Sequence, residues 1–373
     1  MKPGIIPLAG LSLISCSAVA QSSVTLYGVI DTSIRYTTHQ ATGNGPRSQI
    51  ALTEGAFNNS RWGIRGAEDL GMGSKALFTL ESGFGPDTGR AGQQGQLFGR
   101  QAWVGLGNDT FGTIKLGRQM GAAYLFVIGV DPITIGNYTE LSWQTALTGL
   151  RYDNTVDYSK QWGGLGVEAQ YSFGERAGQM ASGSTVQLAI TYDVDALHAG
   201  AVGQQSKDAN GNAMRLWTAG ARYALGSFTL HGYYLDSWRE PGFVIGASGS
   251  GTPLANTSIG GNANTVLGTG TQTAERRDKY AAVGVSYQSP GAVKVTLAYM
   301  RDNVTGVRPG VSGLVQSVYA IAVYSLSKRT DAYLEADYSK LSGGSITDPN
   351  NPAGSFGGAR SRTGAGVGLR TRF

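Results

Sequence analysis

The chain has little cysteine, histidine or charge, and no long apolar run. Its single cysteine among 373 residues, Cys16, excludes an internal disulfide. Its three histidines, His39, His198 and His231, lie far apart with no spacing that would hold a metal. There is no G-x-S-x-G, G-x-G-x-x-G, P-loop or H-E-x-x-H motif, so neither cofactor nor catalysis is expected. Charged residues make up 15%, against roughly a quarter in soluble domains. The pI is about 9.2, yet no Lys/Arg-rich run with interleaved aromatics appears, so nucleic acid is not an expected partner. Beyond the N-terminus, the longest nearly continuous apolar run is Tyr124 to Val130. A transmembrane helix needs about 20 apolar residues.

What is present begins with an export signal. Met1-Lys2 is followed by an apolar stretch over residues 5–14 and by Ala18-Val19-Ala20, a small-x-small cleavage site. Residues 1–20 are expected to be removed, leaving residues 21–373 as one domain that starts at Gln21 and lacks cysteine. Loss of Lys2 lowers the formal charge from +5 to +4. A rival reading takes Leu13-Ile14-Ser15-Cys16 as a lipobox with a lipidated Cys16. An exported chain without a membrane helix can still span a membrane as a closed β-barrel, which satisfies every backbone hydrogen bond.

Period-two alternation runs through residues 21–373. Val24, Leu26 and Ile30 alternate with Thr25, Tyr27 and Asp31; Val186, Leu188 and Ile190 with Gln187 and Thr191; Val293, Val295 and Leu297 with Lys294 and Thr296. Short turns at 69–73, 106–112, 193–195, 224–226, 289–292 and 325–330 alternate with polar, Gly-rich connections at 85–95, 204–212, 236–275, 303–313 and 341–359. Short turns on one rim and long loops on the other are the plan of an outer-membrane barrel. The spacing predicts an all-β, antiparallel transmembrane β-barrel of about 16 strands of roughly ten residues each. A secreted sandwich shares the alternation. Tyr36, Tyr171, Tyr192, Tyr234, Tyr299 and Tyr338, near the ends of apolar faces, favour the aromatic girdles of a membrane barrel.

The charges can then be oriented. Arg61 and Arg65 share a face opposite Trp62 and Ile64. Arginine at the lipid midplane costs about 2–4 kcal/mol, so that face is expected to line the lumen. Arg100 and Lys115 are read inward by the same argument, and neighbouring strands would join these cations into one positive wall. Alternation fails between Gly117 and Arg151. Residues 121–147 are too aromatic and apolar for a solvated loop (Tyr124, Phe126, Tyr138, Trp143), so they are expected to fold inward. That would place Asp131 and Glu140 opposite the arginines.

Several segments resemble a known family. Gln21-Ser22-Ser23-Val24-Thr25-Leu26-Tyr27-Gly28 is similar to the mature start of Gram-negative general porins of the beta-proteobacterial and neisserial type. Residues 60–84 with Glu68-Asp69-Leu70-Gly71, residues 97–106 and 111–119, Leu326-Ser327-Lys328-Arg329-Thr330 and the aromatic terminus Phe373 also resemble that family. The resemblance implies a homotrimer of 16-stranded barrels in the outer membrane, in contact with lipid and lipopolysaccharide. It further implies a third extracellular loop folded into each lumen, and a terminal Phe373 read by the barrel-assembly machinery. In similar porins wall arginines face acids on that loop; Arg61 and Arg100 match those wall positions, and Arg151 is a third candidate. Together with Arg65, Lys115, Asp131 and Glu140, placed by the strand faces and the loop, they are the expected pore constriction, passing small hydrophilic solutes and ions with modest anion preference. The chain departs from the pattern at Asp157, where relatives often carry arginine, and at Asp131-Pro132-Ile133-Thr134, where some carry Pro-Glu-Phe-Gly. A substrate-specific channel and an outer-membrane hydrolase, whose triad would assemble through space, are the alternatives.

Overall fold

The computed structural model describes residues 22–244, 273–351 and 353–373. The expected signal, Cys16, the cleavage site and most of the 236–275 connection lie outside these residues. The strands are β1 (Ser23–Gln40), β2 (Arg47–Glu54), β3 (Arg61–Gly71), β4 (Ser74–Gly83), β5 (Gln101–Asn108), β6 (Gly112–Met120), β7 (Arg151–Trp162), β8 (Leu165–Ser172) and β9 (Thr185–Val194). They continue as β10 (Leu197–Lys207), β11 (Ala213–Leu225), β12 (Phe228–Arg239), β13 (Arg276–Gln288), β14 (Val293–Arg308), β15 (Val311–Ser325), β16 (Thr330–Gly343) and β17 (Ser361–Arg372). The sheet is antiparallel and closes on itself through β1 and β17. Phe373 completes the seam by exchanging backbone hydrogen bonds with Gly28 at 3.0 and 3.1 Å.

The 17 segments occupy 16 wall positions. β2 pairs with β1 over Thr32–Gln40 and β3 pairs with it over Ser23–Val29, so the two are one wall strand interrupted at residues 55–60. The alternation sets the faces. Leu188, Ile190 and Tyr192 are exposed outward to lipid, whereas Gln187 and Ala189 are buried inward. A one-residue slip would turn every polar side chain into the bilayer, so the register is strongly fixed. Among the described residues, no helix is long and apolar enough to cross a membrane.

The short turns gather on one rim as read. On the other rim, three connections are shorter than the sequence indicated: β10 runs to Lys207, β14 and β15 meet near residues 309–310, and β16 runs to Gly343. There the outward positions are polar because they stand above the lipid, and the ladder continues regardless.

Residues 121–150 are not irregular. They contain α1 (Ala122–Val130) and two single turns, α2 (Thr139–Ser142) and α3 (Thr145–Thr148). Apolar side chains on the inner face of β9–β15 (Ala189, Val202, Leu216, Leu235, Met300, Ile321) form one cluster with Phe126, Val127, Val130, Trp143 and Leu147 of the loop. Each fully buried side chain of this kind contributes roughly 1.5–3 kcal/mol. Two wall glutamines hold the helix start: Gln170 Oε1 accepts from Ala122 N at 2.9 Å and Gln187 Oε1 from Ala123 N at 3.0 Å. His231 Nδ1 donates to the Val130 carbonyl at its end, 3.0 Å away. With this side of the lumen filled, open space remains beside Arg61, Arg100 and Met120 of the β3–β6 wall.

Candidate functional site

That wall carries the expected cations. Arg61 faces Val29 across the β1–β3 ladder, and Arg65 faces Thr25, so both share the inward face of Tyr27 and Asp31. Lys115 sits inward on β6, Arg100 immediately precedes β5, and Arg151 opens β7. Glu81 stands among them, unremarked in the sequence. It accepts from Arg100 Nε at 2.7 Å and from the Tyr27 hydroxyl at 3.0 Å, and lies 3.4 Å from Arg61 Nε. Arg65 stacks over Tyr27, 5.4 Å from the ring centre. Arg100 Nη1 and Arg151 Nε and Nη2 are buried without a hydrogen-bond partner among the described residues. Lys115 differs: Asp157, the departure from the family pattern, pairs with it at 3.1 Å and neutralises it. Arg118 also belongs to this wall, donating to the Gly99 carbonyl at 2.8 Å and pairing with Asp153 at 2.5 Å.

Across from Arg61 and Arg100 is a cavity of about 230 Å³ whose other sides are uncharged. Tyr124, Ile128, Thr134, Asn137, Ser142 and Thr145 border it from the loop, and Phe57, Asn58 and Asn59 from the interruption between β2 and β3. No carboxylate lines it.

The two acids expected there are elsewhere. Asp131 is buried against the far wall, where Oδ1 accepts from Ile133 N and Ile135 N at 3.0 and 2.9 Å and Oδ2 from the Tyr233 hydroxyl at 3.0 Å. Burial pushes this carboxyl from 3.8 up to about 6 against the pull of those hydrogen bonds. Glu140 meets arginines of the β1–β17 seam, Arg35 at 3.1 Å and Arg362 at 3.0 Å. Burial raises its carboxyl, but the two guanidiniums outweigh burial and hold it below the usual carboxylate range. The expected juxtaposition fails because Asp131-Pro132 turns back toward Tyr233 at the end of α1, which has already crossed to β12.

The interruption at residues 55–60 is the second inward element, and sequence reading missed it. Asp31 organises it: its Oδ2 accepts from Phe57 N and Asn58 N at 3.2 and 2.9 Å, and its Oδ1 from the Tyr333 hydroxyl at 2.8 Å. Tyr333 also accepts from Ala56 N at 2.8 Å, while Arg370 stacks 4.3 Å over Phe57. Asn137 of the loop donates through its backbone N to the Ala56 carbonyl at 2.8 Å, and its side chain bonds Asn59. The two inward segments are therefore joined. The Phe57-Asn58-Asn59 sequence was the available signal, since it breaks the alternation between two clear strand patterns.

Comparison with known proteins agrees with this architecture. Residues 8–344 match the model of the Gram-negative porin family. An outer membrane porin protein of Bordetella pertussis is 29% identical over the full length of both chains. Outer membrane porin protein 32 of Delftia acidovorans is 35% identical over 47% of this chain and 51% of its own. Among solved structures, an anion-selective porin from Comamonas acidovorans superposes with a TM-score of 0.73 at 23% identity, covering 95% of this chain and all of that one. Wall, lumen and relatives together place the chain in the Gram-negative porin family: it is an outer-membrane porin, a closed barrel that forms a water-filled channel.

Proposed function

We propose that the channel passes small hydrophilic solutes by passive diffusion with a modest preference for anions, selected at the cavity between Arg61, Arg100 and the loop. One observation carries this reading: the passage has Arg61 and Arg100 on one side, two guanidiniums sharing the single carboxylate of Glu81, and only neutral groups on the other. In a narrow aqueous channel, a fixed cation attracts anions more strongly than in bulk water, and salt screens it over about 8–10 Å. Arg65, nearer the short-turn rim, and Arg151, at the start of β7, extend the positive wall. Lys115, paired with Asp157, contributes little net field. Asp131 and Glu140 act as anchors of the loop. The polarity of the walls and the absence of any catalytic motif in the sequence favour transport without bond chemistry.

We further propose export through cleavage before Gln21, assembly as a homotrimer, and recognition of Phe373 by the barrel-insertion machinery. A trimer form is known for the Vibrio cholerae barrel OmpT, which superposes with a TM-score of 0.63 at 14% identity. Recording purified protein in a planar bilayer under a salt gradient tests the central reading. The expected result is stepwise conductance with a zero-current potential of anion sign that shrinks as salt rises. A cation-sign potential refutes it.

A further inference from the structure

One acid beside the passage has no cation of its own. On the long-loop side of the arginines, a cavity of about 500 Å³ lies between β1, β2, the α2 turn and residues 353–355. Arg35 and Arg362 border it, but both are spent on acids. Arg35 meets Glu140 at 3.1 Å and Asp337 at 2.5 Å, and Arg362 meets Glu140 at 3.0 Å. These two guanidiniums and two carboxylates cancel. The carboxylate left facing the cavity is Glu54, at the end of β2. Its Oε2 accepts from Asn59 Nδ2 at 2.8 Å and from Asn137 Nδ2 at 3.1 Å. It forms no ion pair among the described residues.

The two amides that hold Glu54 also reach the constriction. Asn137 borders both this cavity and the one beside Arg61 and Arg100, and Asn59 borders the latter. The Asn59 carbonyl accepts from Arg61 Nη1 at 3.4 Å. A solute moving in from the long-loop rim therefore passes Glu54 first and the arginines next. The ladder gives the spacing. Glu54 faces Thr32 and Arg61 faces Val29 of the same strand, β1, which sets them about 10 Å apart along the wall. A simple anion loses at Glu54 part of what it gains at the arginines. A solute gains at both if it carries an ammonium and a carboxylate at matching separation. An extended chain spans at most about 3.3–3.6 Å per residue, so a peptide of two or three residues with free termini has that reach, and a single amino acid does not. Thr37, Gln49 and Thr53 offer hydroxyl and amide groups to its backbone.

We propose that the channel favours short peptides with free termini, the ammonium drawn to Glu54 and the carboxylate to Arg61 and Arg100. The proposal rests on the reading of these arginines as the constriction and names a solute class for it. Both contacts are single charges in an aqueous lumen, so the peptide is favoured on entry and remains free to leave.

The test is swelling of liposomes that carry the purified protein, comparing triglycine with N-acetyl-diglycine amide, an uncharged solute of the same backbone length. Triglycine should enter on the order of 5-fold faster at low salt, and the advantage should fade in molar salt. Glu54→Gln should bring the two rates to parity or reverse them, whereas Glu54→Asp should keep the advantage. Each ratio is taken within one preparation, so the fraction of active channel cancels. N-acetyl-diglycine, which lacks the ammonium, should gain less than triglycine in the unaltered channel. Parity in the unaltered protein overturns the proposal. So does an advantage that survives Glu54→Gln, or one that is lost in Glu54→Asp as well. The zero-current potential of the unaltered channel separates this failure from that of the constriction. An anion-sign potential without a triglycine advantage overturns the peptide site alone, and a cation-sign potential overturns both.

Discussion

The Tyr233 hydroxyl donates to Asp131 Oδ2 at 3.0 Å, tying the inward loop to the wall opposite the arginines. This contact decides where the loop's first acid acts. Burial lifts the Asp131 carboxyl from 3.8 to about 6, so the group titrates within the working range of a bilayer experiment. Because the folded value is raised, its contribution to loop anchoring is complete below about pH 3.8 and is lost as pH climbs through about 6. A negative charge then appears behind the loop, so anion preference should fall between pH 5 and pH 7. Asp131→Asn should hold the low-pH potential throughout. Identical pH profiles for variant and unaltered protein would contradict the assignment.

Glu81 holds back the positive wall by accepting from Arg100 and standing beside Arg61. Glu81→Gln should raise anion preference at low salt, most clearly below about 0.1 M where screening is weak. It should also lower thermal stability, since removing one partner of a buried pair costs about 3–5 kcal/mol. Zero-current potentials and thermal melting read the two effects separately.

Gly55 admits no side chain: a Cβ there would lie 1.6 Å from Asp31 Oδ1 and 2.5 Å from the Tyr333 hydroxyl. Gly55→Ala should dislodge the 55–60 segment at a cost of about 1–3 kcal/mol. It withdraws Phe57, Asn58 and Asn59 from the passage, so conductance should rise with little change in ion preference. Unchanged conductance in a folded variant would show that this segment does not narrow the channel.

Much of the barrel was legible because period-two patterning and lipid exposure are the same constraint. Leu188, Ile190 and Tyr192 face lipid, and the polar residues between them face water or the loop. Arg61 and Arg65 could be placed inward by that rule alone. Asp131 and Glu140 could not be placed, because a loop's path depends on which wall is apolar, and Val202, Leu216 and Leu235 belong to strands 50 or more residues further on. Glu81 went unnoticed for a related reason. A single acid on a strand acquires meaning only when the register sets it between Arg61 and Arg100. The broken wall strand was hidden because β2 and β3 each read as complete strands, and only their shared partner β1 shows them to be one.

The helix that positions the loop depends on Gln170 and Gln187 at its start. Replacing both by leucine removes the acceptors for two backbone N–H groups, a loss of about 0.5–2 kcal/mol for a helix cap. Single-channel records should show more frequent open-state flicker with the same mean ion preference. A record as quiet as that of the unaltered protein would mean that the apolar contacts of Phe126, Val127 and Val130 hold the loop alone.

The most direct measurement is the zero-current potential of Arg61→Ser/Arg100→Ser across a tenfold salt gradient at low ionic strength. The double substitution removes both guanidiniums from the passage and leaves Glu81 uncompensated there. The potential should move from anion to cation sign, conductance should increase, and the shift should fade in molar salt. If the variant keeps both the conductance and the potential of the unaltered channel, Arg61 and Arg100 do not line the constriction, and selectivity arises elsewhere in the lumen.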